Sequence, residues 1–308
     1  MASPKPTPGS SRLYGLLGVP APFDTSYTLV TSPILPPLWL AATRLTFAVY
    51  GTVFIIFRLA YEGIKYHTDS AFFSYFTSLS YIGLFSYFWA SGVQTLLFAL
   101  SGCKRYPLQR WYKPLHFLHM LLLSTIITFP IIVTIVFWSL LSSPTTLSTR
   151  YSAWTNISEH ALNTVFAAFE IFFTNAGVLS ASPAARGLPW MHLPFLLVLL
   201  ACYLGVAYIT AGAQGFYNPH TQHGLLAAYI VGIAIGEAIV FTLVRYLCLF
   251  RHHLSIRMSR FGMESVSVDE GSGKRYSGLL ADGEDWEDVG RPSAGSRSET
   301  SGGRGMAV

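Results

Sequence analysis

Apolar residues in this chain do not alternate with polar ones. They gather into six long runs, at about residues 38–57, 72–100, 115–141, 157–179, 190–210 and 225–244. Crossing roughly 30 Å of hydrocarbon takes ~20 helical residues, and each run is near or above that length. Continuous apolarity without a period of two predicts helices and not barrel strands, because a spanning backbone must satisfy its own hydrogen bonds. The second and third runs predict tilt or extension past the hydrocarbon. Pro130 predicts a kink in the third. Trp39, Trp111, Trp138, Trp154 and Trp190 fall at or near run ends, where an interfacial aromatic belt belongs. The expected architecture is all-α: a six-helix transmembrane bundle at residues 37–253, preceded by a cytoplasmic or interfacial segment at 1–36 and followed by a cytoplasmic tail at 254–308. From Glu264 the tail is rich in Gly, Ser and acidic residues without a helical period, and reads as disordered. No internal repeat is evident.

Composition agrees. Of 308 residues, 52% are hydrophobic and 11% charged, with a mean hydropathy of +0.44; soluble domains average about 25% charged. A water-soluble globular enzyme and whole-chain disorder are both excluded. Residues 1–263 hold 15 Lys/Arg against 6 Asp/Glu, a net +9, and the remainder 5 against 9, a net −4. The basic residues sit between apolar runs and not on a patch, so they read as topology signals, and no nucleic-acid partner is indicated. Lys104, Arg105, Arg110 and Lys113 follow the second run, and Arg245, Arg251, Arg257 and Arg260 follow the sixth. Both groups belong on the cytoplasmic side, which puts both termini there; Arg58, Lys65 and Arg150 fall on the opposite side. Residues 1–36 lack a signal-peptide pattern. Endomembrane residence, in the endoplasmic reticulum, is the default for such a chain. Cys103, Cys202 and Cys248 form no CxxC, so no disulfide frame or zinc site is expected; Cys103 and Cys248, near the cytoplasmic interface, are candidate acylation sites.

In so apolar a chain, the informative residues are polar ones inside the runs. The fourth run is densest. Asn156-Ile157-Ser158-Glu159 has capping-box spacing, with Asn156 as N-cap and Glu159 reaching back. The alternative is a glycosylation sequon, disfavoured hard against the membrane. Beyond it come His160, Asn163, Thr164, Glu170 and Thr174. At about 100° per residue, His160, Asn163, Glu170 and Thr174 share an arc of roughly 80–100°. Such a stripe must face the bundle interior or a wet cavity, either as interhelical hydrogen bonding or as a site.

Other candidates are weaker. Arg44 in the first run and Glu237 in the sixth are a possible buried ion pair. Gly232 and Gly236 form a GxxxG that permits close packing. His116 and His119 read as satisfied interfacial histidines, and His220 and His223 lack a third ligand, so no metal or organic cofactor is implied. Thr77 is ordinary in isolation, a residue that back-bonds one turn earlier. Counted from expected caps at Asp69 and Asn156, Thr77 and His160 stand about 12 Å and 6 Å into their helices from the same side. Both then occupy the outer half of the bilayer.

Around these residues the chain resembles the androgen-induced gene one family of multipass membrane proteins, some of which are threonine hydrolases of fatty-acid esters of hydroxy fatty acids. The resemblance spans about residues 40–250. It is carried by Tyr75-Phe76-Thr77, by Glu159-His160-Ala161-Leu162-Asn163-Thr164, by Glu170 and by Gly215-Phe216-Tyr217-Asn218-Pro219. It implies Thr77 as nucleophile. The family's fourth-helix motif carries two histidines; the first matches His160, and the second position is Asn163, which cannot serve as a general base. Three functions follow. The first is a lipid-ester hydrolase with Thr77 and His160 catalytic and Asn163 donating to the oxyanion, its substrate an amphipathic lipid ester arriving from the outer leaflet. The second is a non-catalytic protein that binds or senses a membrane lipid. The third, a proton-coupled transporter using Glu170 and Glu237, lacks the repeats of that class.

Overall fold

Every regular element among the described residues is helical. The computed structural model describes residues 8–66, 69–178, 187–214 and 223–271. The helices are α1 (Pro8–Leu16), α2 (Pro37–Tyr66), α3 (Phe76–Leu100), α4 (Lys113–Val136), α5 (Arg150–Ile157), α6 (Asn163–Phe173), α7 (His192–Gln214) and α8 (His223–Gly271). The chain divides into two units, residues 1–260 and 261–308, and of the second only 261–271 is described, as helix.

Among the described residues five helices are long and apolar enough to cross a membrane: Pro37–Lys65, Phe76–Leu100, Lys113–Leu141, His192–Ile209 and Tyr229–Met258. Their outer faces present large apolar side chains such as Val53, Ile56, Val93, Leu97, Ile135, Val198, Ile235 and Ile239. Their inner faces hold Arg44, Gln94, Thr95, Ser124, Thr128 and Glu237. Apolar outside and polar inside is the pattern of a bundle solvated by lipid. This is an integral membrane protein.

The fourth expected span has a different build. Residues 150–173 are helical throughout, but α5 and α6 are joined by a π-helical turn, Ser158–Leu162. A second π turn, Phe137–Leu141, extends α4. The expected N-cap at Asn156 is corrected. Asn156 lies inside α5, with its Nδ2 donating to the Thr146 and Ser152 carbonyls at 3.0 and 2.8 Å. Thr149 is the N-cap, in a reciprocal box with Ser152, because the helix starts seven residues earlier than the apolar run does. The first helix also outruns its apolar stretch, and α8 continues to Gly271, through the first part of the segment expected as tail. The rest of that tail, residues 272–308, lies outside the described residues.

Contacts sort the connections onto two ends. Residues 17–31 pack at one end: the Leu17 carbonyl meets His192 Nε2 at 3.1 Å, Tyr27 Oη donates to the Lys104 carbonyl at 2.7 Å, and Asn175 N–H donates to the Thr31 carbonyl at 3.0 Å. Exposed Trp39, Trp111 and Trp190 mark the same end. At the other end Arg58 and Glu62 meet Glu159 and Tyr151, and Tyr203 Oη donates to the Ser74 carbonyl. Successive helices therefore run up and down.

α2 and α3 form the closest pair, through reciprocal glycines. A Cβ added at Gly51 would stand 2.7 Å from Phe85 Cβ, and one at Gly92 would stand 2.9 Å from Leu45 Cδ2. Phe85 Cβ is fixed to its backbone and cannot rotate away. Gly51→Ala should force the helices apart and destabilise by about 1–3 kcal/mol. Thermal unfolding in detergent checks this; an unchanged midpoint would contradict the close approach. Gly236 packs similarly on Ile132 Cδ1, 3.0 Å from its would-be Cβ, whereas Gly232 faces open space, so only half of the GxxxG is used.

Candidate functional site

The polar stripe faces inward as expected: His160, Asn163, Glu170 and Thr174 are all buried. Its two halves do different things. At the deep end of α6, Glu170 receives Arg44 in a two-pronged ion pair, Nε to Oε1 at 2.8 Å and Nη2 to Oε2 at 2.7 Å, with neither side chain exposed. Thr174 Oγ1 donates to the Glu170 carbonyl at 2.7 Å and lies 3.1 Å from Oε2; Tyr87 Oη donates to the same oxygen at 3.3 Å. Arg44 Nη1 reaches Thr95 Oγ1 and the Leu29 carbonyl. The expected Arg44–Glu237 pairing is thereby corrected. The reason is depth: Arg44 stands about 10 Å into α2 at 1.5 Å per residue, whereas Glu237 packs beside Thr128, roughly 22 Å into α4 from the same end. Neither Glu237 oxygen has a hydrogen-bond partner among the described residues.

The His160 half is organised by the two π turns, which dock on each other. The His160 ring stacks flat on Phe137, with centroids 3.5 Å apart and planes within 2°. Trp138 Nε1 donates to the His160 carbonyl at 2.7 Å. In a regular α-helix the Thr164 N–H would bond that carbonyl; it donates to Asn163 Oδ1 at 2.7 Å. Shifted hydrogen-bond register of this kind collects at functional positions. Because a backbone N–H can only donate, it fixes Asn163 with its oxygen turned inward, where Thr134 Oγ1 also donates at 3.1 Å. The amide NH2 of Asn163 makes no hydrogen bond among the described residues. Thr164 Oγ1 donates to the Pro130 carbonyl at 2.9 Å and contacts Thr134 Oγ1 at 2.7 Å, so it serves packing. His160 Nδ1 is buried and has no hydrogen-bond partner among the described residues.

Thr77 sits in the first turn of α3, after Tyr75 as N-cap, and is half-buried. Its carbonyl accepts from Ser80 Oγ; its own hydroxyl has no hydrogen bond among the described residues. No bond joins it to His160. The expected depths are reversed, because α3 begins only at Phe76 while the fourth rod begins at Arg150. His160 is then about 15 Å into its rod. Tyr81, one turn deeper than Thr77 on the same face of α3, lies within electrostatic reach of Glu159 and Tyr50. The Ser78 and Tyr81 hydroxyls nearby are buried without partners among the described residues.

Sequence reasoning missed what surrounds this end. Arg58 bridges two carboxylates, donating from Nε to Glu62 at 2.8 Å and pairing through Nη1 with Glu159. Tyr151 Oη adds a bond to Glu62, Tyr50 Oη meets Ser158 Oγ at 2.7 Å, and the Arg58 guanidinium stands 5.2 Å over Phe72. The i,i+4 spacing of Arg58 and Glu62 was the available signal. Glu159, expected to cap, is the interhelical partner.

No protein-family model, curated protein or solved structure matches the chain. Among the described residues no group of three His, Cys, Asp or Glu could hold a metal ion. His116 Nε2 bonds the Leu108 carbonyl at 2.7 Å and its ring stacks on Phe23, and His119 packs on Tyr87. The Gly215–Pro219 turn and His220 lie outside the described residues, as does the His223 side chain. Cys103 is exposed in a left-handed turn, but Cys248 is fully buried and closed to acylation.

Proposed function

We propose that this protein spans the membrane six times, the fourth span being the rod at residues 150–173, with both termini cytoplasmic and residence in the endoplasmic reticulum. The end that holds Thr77 and His160 then faces away from the cytoplasm and hydrolyses amphipathic lipid esters. The observation that carries this reading is the buried Nδ1 of His160, unbonded among the described residues, on a π turn packed against a second. The resemblance to the androgen-induced gene one family supports the same residues.

Thr77 Oγ attacks the ester carbonyl carbon as His160 Nδ1 takes its proton. The free NH2 of Asn163, turned by its pinned oxygen, donates to the developing oxyanion. Collapse expels the alcohol, which takes the proton back from His160. Water, activated by the same nitrogen, then releases the acid from Thr77. Thr77 stands about one turn, ~6 Å, nearer the loops than the Tyr81 level, so substrate binding must draw the two groups together.

Full-length protein in detergent, assayed on branched and simple lipid esters, should turn over, and Thr77→Ala and His160→Ala should each lose at least about 100-fold. A wild type without turnover, or a fully active Thr77→Ala, defeats the reading. The flat stack of His160 on Phe137, with no bond to Thr77, favours a second reading: a non-catalytic protein that binds a lipid at this end. That reading expects a retained, unhydrolysed lipid ester with wild type.

A further inference from the structure

Arg251 on α8 is buried, with 8% of its surface exposed. Its Nη1 donates to Asn175 Oδ1 at 3.1 Å. Its Nε and Nη2 are buried and meet no acceptor among the described residues. No carboxylate is paired with it: the ion pairs among those residues are Arg44–Glu170, Arg58–Glu62 and Arg58–Glu159. Arg44 shows what this edge of a guanidinium is built to do, since its Nε and Nη2 hold the two oxygens of Glu170 side by side. Arg251 offers the same pair of donors beside Asn175, at the end of the bundle where residues 17–31 pack.

Arg251 is also held in position. Asn175, which takes its third donor, is tied to residues 17–31 twice, by Nδ2 to Thr31 Oγ1 at 3.1 Å and by N–H to the Thr31 carbonyl. Gly177 presses against Cys248, one turn earlier on α8; an added Cβ would stand 2.6 Å from its Sγ. The charge along this stretch of α8 is of one sign: Arg245, which stands over Trp190 at 4.9 Å, Arg251, Arg257 and Arg260 are its charged residues, and no acidic residue occurs between Glu237 and Glu264. A guanidinium buried with two idle donors is costly unless an anion completes it.

We infer that Arg251 is a receptor for a phosphate group, two of whose oxygens accept from Nε–H and Nη2–H in parallel. Phosphate suits the fork, the basic stretch of α8 that carries it and the position at the end of the bundle marked by exposed tryptophans. Both donor atoms are buried, so the groups that cover them must shift to admit the phosphate.

The test uses full-length protein in detergent with two probes, inorganic phosphate and phosphatidate, against chloride and phosphatidylcholine as controls. Thermal midpoints and native mass spectrometry read binding. With wild type, either probe should stabilise the protein; stabilisation by both identifies a free-anion site, and by phosphatidate alone a lipid headgroup. Arg251→Gln should weaken binding at least about tenfold. Arg251→Lys keeps the charge but not the fork, and should fall between. It also serves where Arg251→Gln does not fold. No response of wild type beyond the controls, or wild-type affinity in Arg251→Lys and Arg251→Gln, overturns the assignment.

Discussion

Glu170→Gln should lower the thermal midpoint of the detergent-solubilised protein by about 10 °C. The substitution keeps the volume and removes the charge, leaving Arg44 buried in the bundle with no counter-ion. Breaking a buried pair by removing one partner costs about 3–5 kcal/mol, and at this chain length each kcal/mol shifts the midpoint by roughly 2–4 °C. The geometry places this pair at the upper end of that range. Both side chains are fully buried, the contact is two-pronged, and Arg44 also ties α3 through Thr95 and the N-terminal segment through Leu29. Removing both charges at once, as Arg44→Met with Glu170→Leu, should restore at least half of the loss, because the penalty is the orphaned charge and not the missing bond. A Glu170→Gln protein as stable as wild type would mean that the network is incidental. The same network bears on function. Glu170 holds two guanidinium donors, Tyr87 and Thr174, which makes it a joint that ties the rod carrying His160 to α2 and α3.

Much of this architecture is legible in the residues, for a physical reason. In lipid the apolar runs must be helical and the tryptophans belong at the ends, so length and hydropathy locate α2, α3, α4, α7 and the membrane part of α8, although α2 and α8 run well past the ends of their apolar stretches. The inward stripe of His160, Asn163, Glu170 and Thr174 is equally legible, because helical spacing fixes which side chains share a face. Partners are another matter. Arg44 is one of several buried polar groups on different helices, and nothing local distinguishes Glu170 from Glu237; relative depth decides, and depth depends on where each helix starts. Two starts were misjudged for the same reason. Arg150–Ile157 is helical but not apolar, so an apolar run cannot reveal it, and the run that begins at Phe72 opens with the end of a 3-10 turn and an extended Tyr75, so Thr77 comes at the helix mouth. The π turns are invisible for a related reason. They pack on each other, Phe137 on His160 and Trp138 Nε1 on the His160 carbonyl, through contacts that exist only once α4 and the fourth rod are side by side.

Asp24→Ala should release residues 17–31 from the end of the bundle. Asp24 takes up a left-handed conformation, φ +42°, which lets its carboxylate turn back on the following 3-10 turn. Oδ1 accepts from Thr28 N–H and Thr28 Oγ1, both at 2.8 Å, and Oδ2 accepts from Leu29 N–H at 3.1 Å and Tyr106 Oη at 2.5 Å. Burial, and then the neighbouring carboxylate, hold the Tyr106 phenol above its ordinary value, so it remains a donor throughout the accessible pH range. Alanine leaves four buried donors without an acceptor. With hydrogen bonds to a charged group contributing about 1.5–3 kcal/mol each, the loss is large enough to undock the segment. Hydrogen exchange should report it as rapid exchange of the Thr28 and Leu29 amides, with protection kept in α3 and α4. Asp24→Asn, which tolerates the left-handed backbone and keeps one acceptor, should lose less. The effect should also reach the Arg44 network, because the Leu29 carbonyl is one of its acceptors. Asp24→Ala and Glu170→Gln should therefore destabilise together by less than the sum of their separate effects, since either one already loosens what the other holds. Strict additivity, with Thr28 and Leu29 still protected in Asp24→Ala, would show that the segment is held by its apolar contacts at Val19, Phe23 and Leu29 alone.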